Sequence, residues 1–194
     1  MTKKDFTPDI QKYFASLQDT LAKVDLSEID AIANVLREAY ENQKTILVMG
    51  NGGSGATASH MVCDMNKGAC FNVDKKYRFI SLCDNMPIIL ALGNDVSYES
   101  VFVEQMKAYA QPGDVVLGIS GSGNSPNVLR AMEYAKSVGC TTIGVVGFSG
   151  GKLKDMVDHC FHVKLDDMQI VEDLHMILVH VLMRILTVGK PFCH

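Results

Sequence analysis

No stretch of this 194-residue sequence reaches the roughly 18 unbroken apolar residues of a membrane-spanning helix, which excludes that kind of membrane protein. The segment from Met1 to Asp9 is polar and mixed in charge, without the apolar core of a secretory signal, so the expected compartment is the cytoplasm. No run of Lys and Arg is long enough to follow a nucleic-acid backbone, and the net charge is −4. Lys75, Lys76 and Arg78 come nearest, but they precede an expected strand and read as a solvated edge. The six cysteines (Cys63, Cys70, Cys83, Cys140, Cys160 and Cys193) include no CxxC pair, which points to reduced thiols used mainly as core filler. Cys63 is the one candidate nucleophile among them, against a plain packing role. Internal repeats, low-complexity tracts and linkers are also missing, so one domain over 1–194 is expected.

What is present is an ordinary globular balance, with 47% apolar and 21% charged residues. Two helical patterns open the chain. Ile10, Tyr13, Phe14, Leu17 and Leu21 recur at helical spacing, as do Ile29, Ile32, Ala33, Val35, Leu36 and Ala39, with Ser27 as the expected N-cap. They predict a helical hairpin over 1–43, packed on the rest of the chain or on another subunit. From Lys44 the rhythm turns to short apolar runs at 45–49, 77–82, 115–119, 142–146 and 160–163. Helical patterns follow at 54–65, 97–109, 125–138 and 168–187, with a shorter turn near 87–92. Strands that are apolar throughout and alternate with helices imply an α/β fold over 44–194. It would be a doubly wound, parallel five-stranded sheet covered on both faces. Ligands of such sheets bind at the carboxyl ends of the strands.

Two polar turns stand at those ends. The first, Gly50-Asn51-Gly52-Gly53-Ser54-Gly55, opens a helix whose N-terminus offers free N–H groups and positive dipole to an anion. It fits G-x-G-x-x-G, but a dinucleotide site needs an acidic residue closing the second strand. Asp84 comes late and Asp74 too early. The Lys-Ser/Thr of a P-loop is missing too, since Ala56-Thr57 follows. A tight strand-to-helix turn accounts for two of the glycines and leaves two unexplained. The second turn, Ser120-Gly121-Ser122-Gly123-Asn124-Ser125, opens another helix with Pro126 in its first turn. Ser125 alone reads as an N-cap. The whole cluster suits an anion with three or more oxygens, such as a phosphate monoester.

Farther along, His60 and Asp64 are four residues apart and share one face of the helix after the first turn. On the last helix, Glu172 and His180 are eight apart, about 80° around the axis. Gln169 and Asp173 share their sector. Ile170, Leu174, Ile177, Leu178, Val181 and Ile185 form the opposite stripe, which is expected to be buried. Each polar pair alone is an ordinary surface contact. His175, about 140° from His180, is expected on the helix surface or at a subunit contact; His159, His162 and His194 carry no motif.

With Asn51-Gly52-Gly53-Ser54 and Ser120-Gly121-Ser122-Gly123-Asn124-Ser125 in the two turns, the sequence resembles the SIS (sugar isomerase) domain family, a flavodoxin-like fold. The likeness extends to the leading helices, Gly93-Asn94-Asp95 and the last helix, and within the family it is nearest to the phosphoheptose isomerases. The resemblance implies isomerisation of sedoheptulose 7-phosphate to D-glycero-D-manno-heptose 7-phosphate through an enediol, in a homotetramer, with no nucleotide cofactor. It implies a zinc ion at His60, Asp64, Glu172 and His180, a donor set that Fe²⁺ or Mn²⁺ also suit. Asp64 would be the base and His180 the acid. Ser54, Ser120, Ser122 and Ser125, with Gly121, would hold the phosphate, and Asn51, Gly52, Gly53, Asn94 and Asp95 would line the sugar.

The sequence departs from the family pattern in three places. The family's Glu is Asp64, its Gln is Glu172, and its Arg after the first helix has no match in Asn66-Lys67-Gly68, where Lys67 offers charge without a bidentate fork. A non-catalytic sugar-phosphate sensor, or an adaptor of the kind that binds a replication initiator, is the second reading. A nucleotide-dependent oxidoreductase is a third and poorer one. Retention of both Asp64 and His180 favours the enzyme.

Overall fold

All five apolar runs become strands in the computed structural model, which describes residues 4–189. They are β1 (Thr45–Gly50), β2 (Arg78–Ser81), β3 (Val115–Ser120), β4 (Thr141–Val146) and β5 (His159–His162). All pair in parallel, in the order β2-β1-β3-β4-β5. β1 and β3 are buried along their whole length because both sheet faces are covered. Alternation then sorts their side chains. Ile46, Val48, Val115 and Leu117 face one layer, whereas Leu47, Met49 and Val116 face the other.

The helices are α1 (Thr7–Leu21), α2 (Leu26–Glu41), α3 (Gly52–Cys63), α4 (Met86–Asp95), α5 (Val101–Tyr109), α6 (Pro126–Ser137), α7 (Gly151–Met156) and α8 (Met168–Ile185). α2, α3 and α8 pack on the first face, and α5, α6 and α7 on the second. No described helix is long and apolar enough to cross a membrane. Cys193 and His194 lie outside the described residues. Cys70 and Cys140 are buried, while Cys63 is exposed at the end of α3.

Several local expectations need correction. Asp25, not Ser27, caps α2: its carboxylate accepts the Ser27 N–H at 2.9 Å. The two leading helices make little contact with each other. Instead α2 buries Ile32, Ala33, Leu36 and Ala39 on the sheet. α1 has no buried residue, and the Tyr13 hydroxyl fastens it to α8 by donating to Asp173 at 2.6 Å. That bond pushes the tyrosine pKa up to about 12. α7 has no counterpart among the sequence patterns, being a six-residue helix entered through two left-handed glycines, Gly150 and Gly151. Lys75 and Arg78 do lie at an exposed edge, where each donates to a carbonyl near the end of α2.

Candidate active site

β1 and β3 are neighbours with Gly50 opposite Ile119, so the turns after them emerge side by side where the strand order reverses. That crevice is the usual ligand site of an open parallel sheet. Gly52, at φ 52°, takes a left-handed conformation that costs glycine nothing and starts α3 one residue after Asn51. Asn51 has the extended backbone of an N-cap, yet its side chain does not cap the helix. Its Nδ2 donates to Asn127 Oδ1 at 2.9 Å, and its Oδ1 accepts from Asn127 Nδ2 at 2.8 Å and from the Tyr98 hydroxyl at 2.9 Å. Ser54, the third residue of α3, is buried, and its hydroxyl bonds to no other described residue.

In the second turn the Ser120 and Ser125 hydroxyls lie 3.0 Å apart, so Ser125 stands at the N-cap of α6 without capping it. Ser122 is exposed and accepts the Asn124 N–H at 3.2 Å. Gly121 lies against Met168, whose sulfur would be 2.8 Å from an added Cβ. Asn124 turns away to accept from the Lys152 N–H of α7 at 3.1 Å. Four serine hydroxyls and two helix N-termini whose N-cap side chains do not cap them therefore share one edge of the sheet. A phosphate monoester is the kind of ligand such a set can hold.

α3 and α8 run side by side in the same direction, as two pairings show. Near its start Gly53 faces Glu172, and two turns later His60 faces His180. The His60 and His180 Nε2 atoms are 3.1 Å apart, with Asp64 Oδ2 at 3.2 Å from the first and 3.9 Å from the second. The helix turns π-helical at Asp64–Gly68, beginning at that carboxylate. Tetrahedral zinc with bonds near 2.05 Å separates its donors by about 3.3 Å, so the spacing and chemistry of His60, Asp64 and His180 fit such an ion. They form the one such cluster found among the described residues.

Glu172 departs from its expected place. It is not in that cluster: its carboxylate sits over Gly53, where an added Cβ would lie 2.5 Å from Oε1. Two helical turns separate Glu172 from His180 by about 12 Å, and the positive end of α3 is the nearer attraction for a carboxylate. Asn94 and Asp95 are exposed at the end of α4 and bond to each other at 2.7 Å, with no hydrogen bond to either turn among the described residues. Tyr98, three residues on, reaches the first turn in their stead. Neither Tyr98 nor Asn127 carries a motif; Asn127 stands two residues after the second polar turn, the only signal it offers.

His175 is not at the surface. It is 1% exposed, edge-on to Phe161, with no aligned hydrogen-bond partner at either ring nitrogen. Burial pushes its pKa down to about 4, offset in part by the Val146 backbone. The buried stripe of α8 is accordingly rotated from the expected one, toward Val171, His175, Val179 and Leu182. Val181 and Ile185 are exposed and, with Ile177, line an apolar groove of about 300 Å³ against Leu21, Leu26 and Ile29.

The SIS domain model matches residues 12–147, which include both polar turns, His60 and Asp64. The chain belongs to the SIS domain family. It is 37% identical to a probable phosphoheptose isomerase of Thermoplasma acidophilum, over 90% of this chain and 95% of that one. It is 40% identical to the phosphoheptose isomerase of Geotalea daltonii over 80% of each chain. Among solved structures, the phosphoheptose isomerase of Francisella tularensis superposes with a TM-score of 0.87 at 28% identity, over 96% of this chain and all (100%) of that one. That of Neisseria gonorrhoeae gives 0.87 at 26%, over 94% and 98%. The strand order and both turns of this SIS-family chain are thus placed within a known fold.

Proposed function

We propose that the chain isomerises a ketose phosphate to its aldose, with sedoheptulose 7-phosphate as substrate and D-glycero-D-manno-heptose 7-phosphate as product. The observation that carries this reading is the His60–Asp64–His180 cluster set along α3 from the phosphate-binding edge. His60 and Asp64 lie six and ten residues beyond Ser54, about 9–15 Å along the helix axis. An extended seven-carbon sugar phosphate spans eight bonds from C1 to phosphorus, about 10 Å. With its phosphate at Ser54, Ser120, Ser122 and Ser125, such a substrate brings its C1–C2 end to the cluster.

There Asp64 takes the C1 proton of the ketose and His180 supplies a proton to the C2 oxygen, giving the cis-enediol. Return of a proton to C2 with loss of one from the C1 hydroxyl yields the aldehyde, so the reaction is redox-neutral within the substrate. His60, Asp64 and His180 would hold the metal, with zinc first choice, leaving the proton roles to the Asp64 oxygen and the His180 ring nitrogen that do not face it, and a bound metal supplies polarisation of the carbonyl and enediolate oxygens. The sensor or adaptor reading leaves the paired histidines and carboxylate without a task.

The exposed Phe14, Leu21, Leu26, Val181 and Ile185 support a homotetramer that buries them, and the free thiols support a cytoplasmic setting. Incubation of the purified protein with a panel of ketose phosphates, with and without chelator, tests the reading. Aldose formation from sedoheptulose 7-phosphate, abolished by chelator and restored by Zn²⁺, is the expected result. A folded, metal-loaded protein that leaves every ketose phosphate unchanged overturns it. Size-exclusion chromatography with light scattering should give four times the 21.2 kDa chain mass.

A further inference from the structure

Asn51 combines two features that ordinarily exclude each other. Its backbone, at φ −107° and ψ 150°, is that of an N-cap, and asparagine is among the strongest N-capping residues. Yet its side-chain oxygen, the atom that would cap, is engaged elsewhere, in a reciprocal amide pair with Asn127 and as acceptor of the Tyr98 hydroxyl. Asn127 is 1% exposed, and its Oδ1 also accepts the Val128 N–H at 3.0 Å, so its amide is held from several sides. We propose that Asn127 and Tyr98 are positioning residues that hold the Asn51 side chain off the N-terminus of α3 and so keep the first-turn N–H groups open for the substrate phosphate. Asn51 is then a withheld cap. This inference rests on the phosphosugar reading of the site.

The physical argument is competition for donors. Released from Asn127, the Asn51 side chain is free to turn toward the N–H of Gly53 or Ser54, the groups that an N-cap side chain accepts from. Those groups would then be occupied before phosphate arrives. The competing interaction is a single neutral cap, worth about five- to tenfold in anion affinity. Because the cap lies at the phosphate end and not at the His60–Asp64–His180 cluster, it raises KM and leaves kcat nearly unchanged.

The test uses the full chain and two readouts: steady-state kinetics with sedoheptulose 7-phosphate, and the rise in Tm with inorganic phosphate, which needs no turnover. Asn127→Ala should raise KM and the half-saturating phosphate concentration together by about five- to tenfold, with kcat within twofold. Tyr98→Phe, which removes only an exposed hydroxyl, should raise both by about twofold and keeps the test available if the buried Asn127→Ala fails to fold. The deciding variant adds Asn51→Gly to either substitution. Glycine has no side chain with which to cap, so phosphate affinity should return to within about threefold of the parent. Unchanged phosphate affinity in Asn127→Ala and Tyr98→Phe, or no recovery with Asn51→Gly, overturns the inference. Absence of isomerase activity in the unsubstituted protein would instead strike the functional reading, and the phosphate titration would still judge the role of Asn127.

Discussion

His175 and His180 stand five residues apart on α8 and live in opposite worlds. His180 is exposed and shares a carboxylate and a second imidazole across the α3–α8 seam. His175 faces the sheet among Phe161 and the aliphatic core, without an aligned hydrogen-bond partner and held neutral by burial. One face of the helix keeps ionisable groups in water where they can bind and exchange protons; the other removes the charged form of the same side chain. Residue type therefore says little about a histidine's task until its side of the helix is known.

The comparison breaks most sharply at the exposed face. Asp64→Asn and His180→Ala should each lower kcat by about 10²–10⁴-fold, the usual range for loss of a positioned acid or base, while inorganic phosphate still raises Tm. Unchanged turnover in either variant would remove that residue from the mechanism.

On the buried face the effect is on stability. The His175 pKa is lowered to about 4 in the folded chain against about 6.5 unfolded, so its contribution is whole above pH 6.5 and drains as pH falls toward 4. At pH 4.5 the unfolded state binds a proton that the folded state refuses, a difference of about 2–3 kcal/mol. Urea unfolding of the parent and His175→Leu at pH 7 and 4.5 should show a smaller loss on acidification in the variant. Equal losses would mean that His175 finds a proton acceptor on folding.

Smaller effects lie near the start of the same helix. Tyr13→Phe removes the bond from α1 to Asp173 and should cost about 1 kcal/mol, read as a lower urea midpoint. Glu172→Gln removes a negative charge from beside the start of α3, so phosphate should bind about two- to fivefold tighter. Weaker phosphate binding in that variant would place the carboxylate in a direct supporting role.

Much of this was legible in the residues. The strand runs survive to within a residue or two because a buried parallel strand must be apolar on both faces, and the glycine and serine clusters mark the turns that follow β1 and β3. His60 and Asp64 are legible as a pair because a spacing of four fixes their common face. The resemblance implies a metal role for Glu172, but eight residues set it about 12 Å along the axis from His180 as well as about 80° around it, and its carboxylate lies over Gly53. Of the stripe expected on α8, Ile170, Leu174 and Leu178 are buried, but its edges are not legible because apolar residues cover more than half the circumference. Nothing in the pattern says which part meets the sheet and which meets α2. Asn127 and Tyr98 left no mark, since a single amide and a single hydroxyl gain their meaning from a partner 76 and 47 residues away.

Local chemistry sufficed for the layered α/β sheet, the two anion-seeking turns and the His60–Asp64 pair, because periodicity, helix ends and four-residue spacing act over a few neighbours. The tertiary structure alone decided that His180 meets that pair, that Glu172 goes to Gly53, and that His175 is sealed in the core. Those outcomes depend on how α8 is rotated and slid against α3 and the sheet, which is settled by packing across the whole molecule.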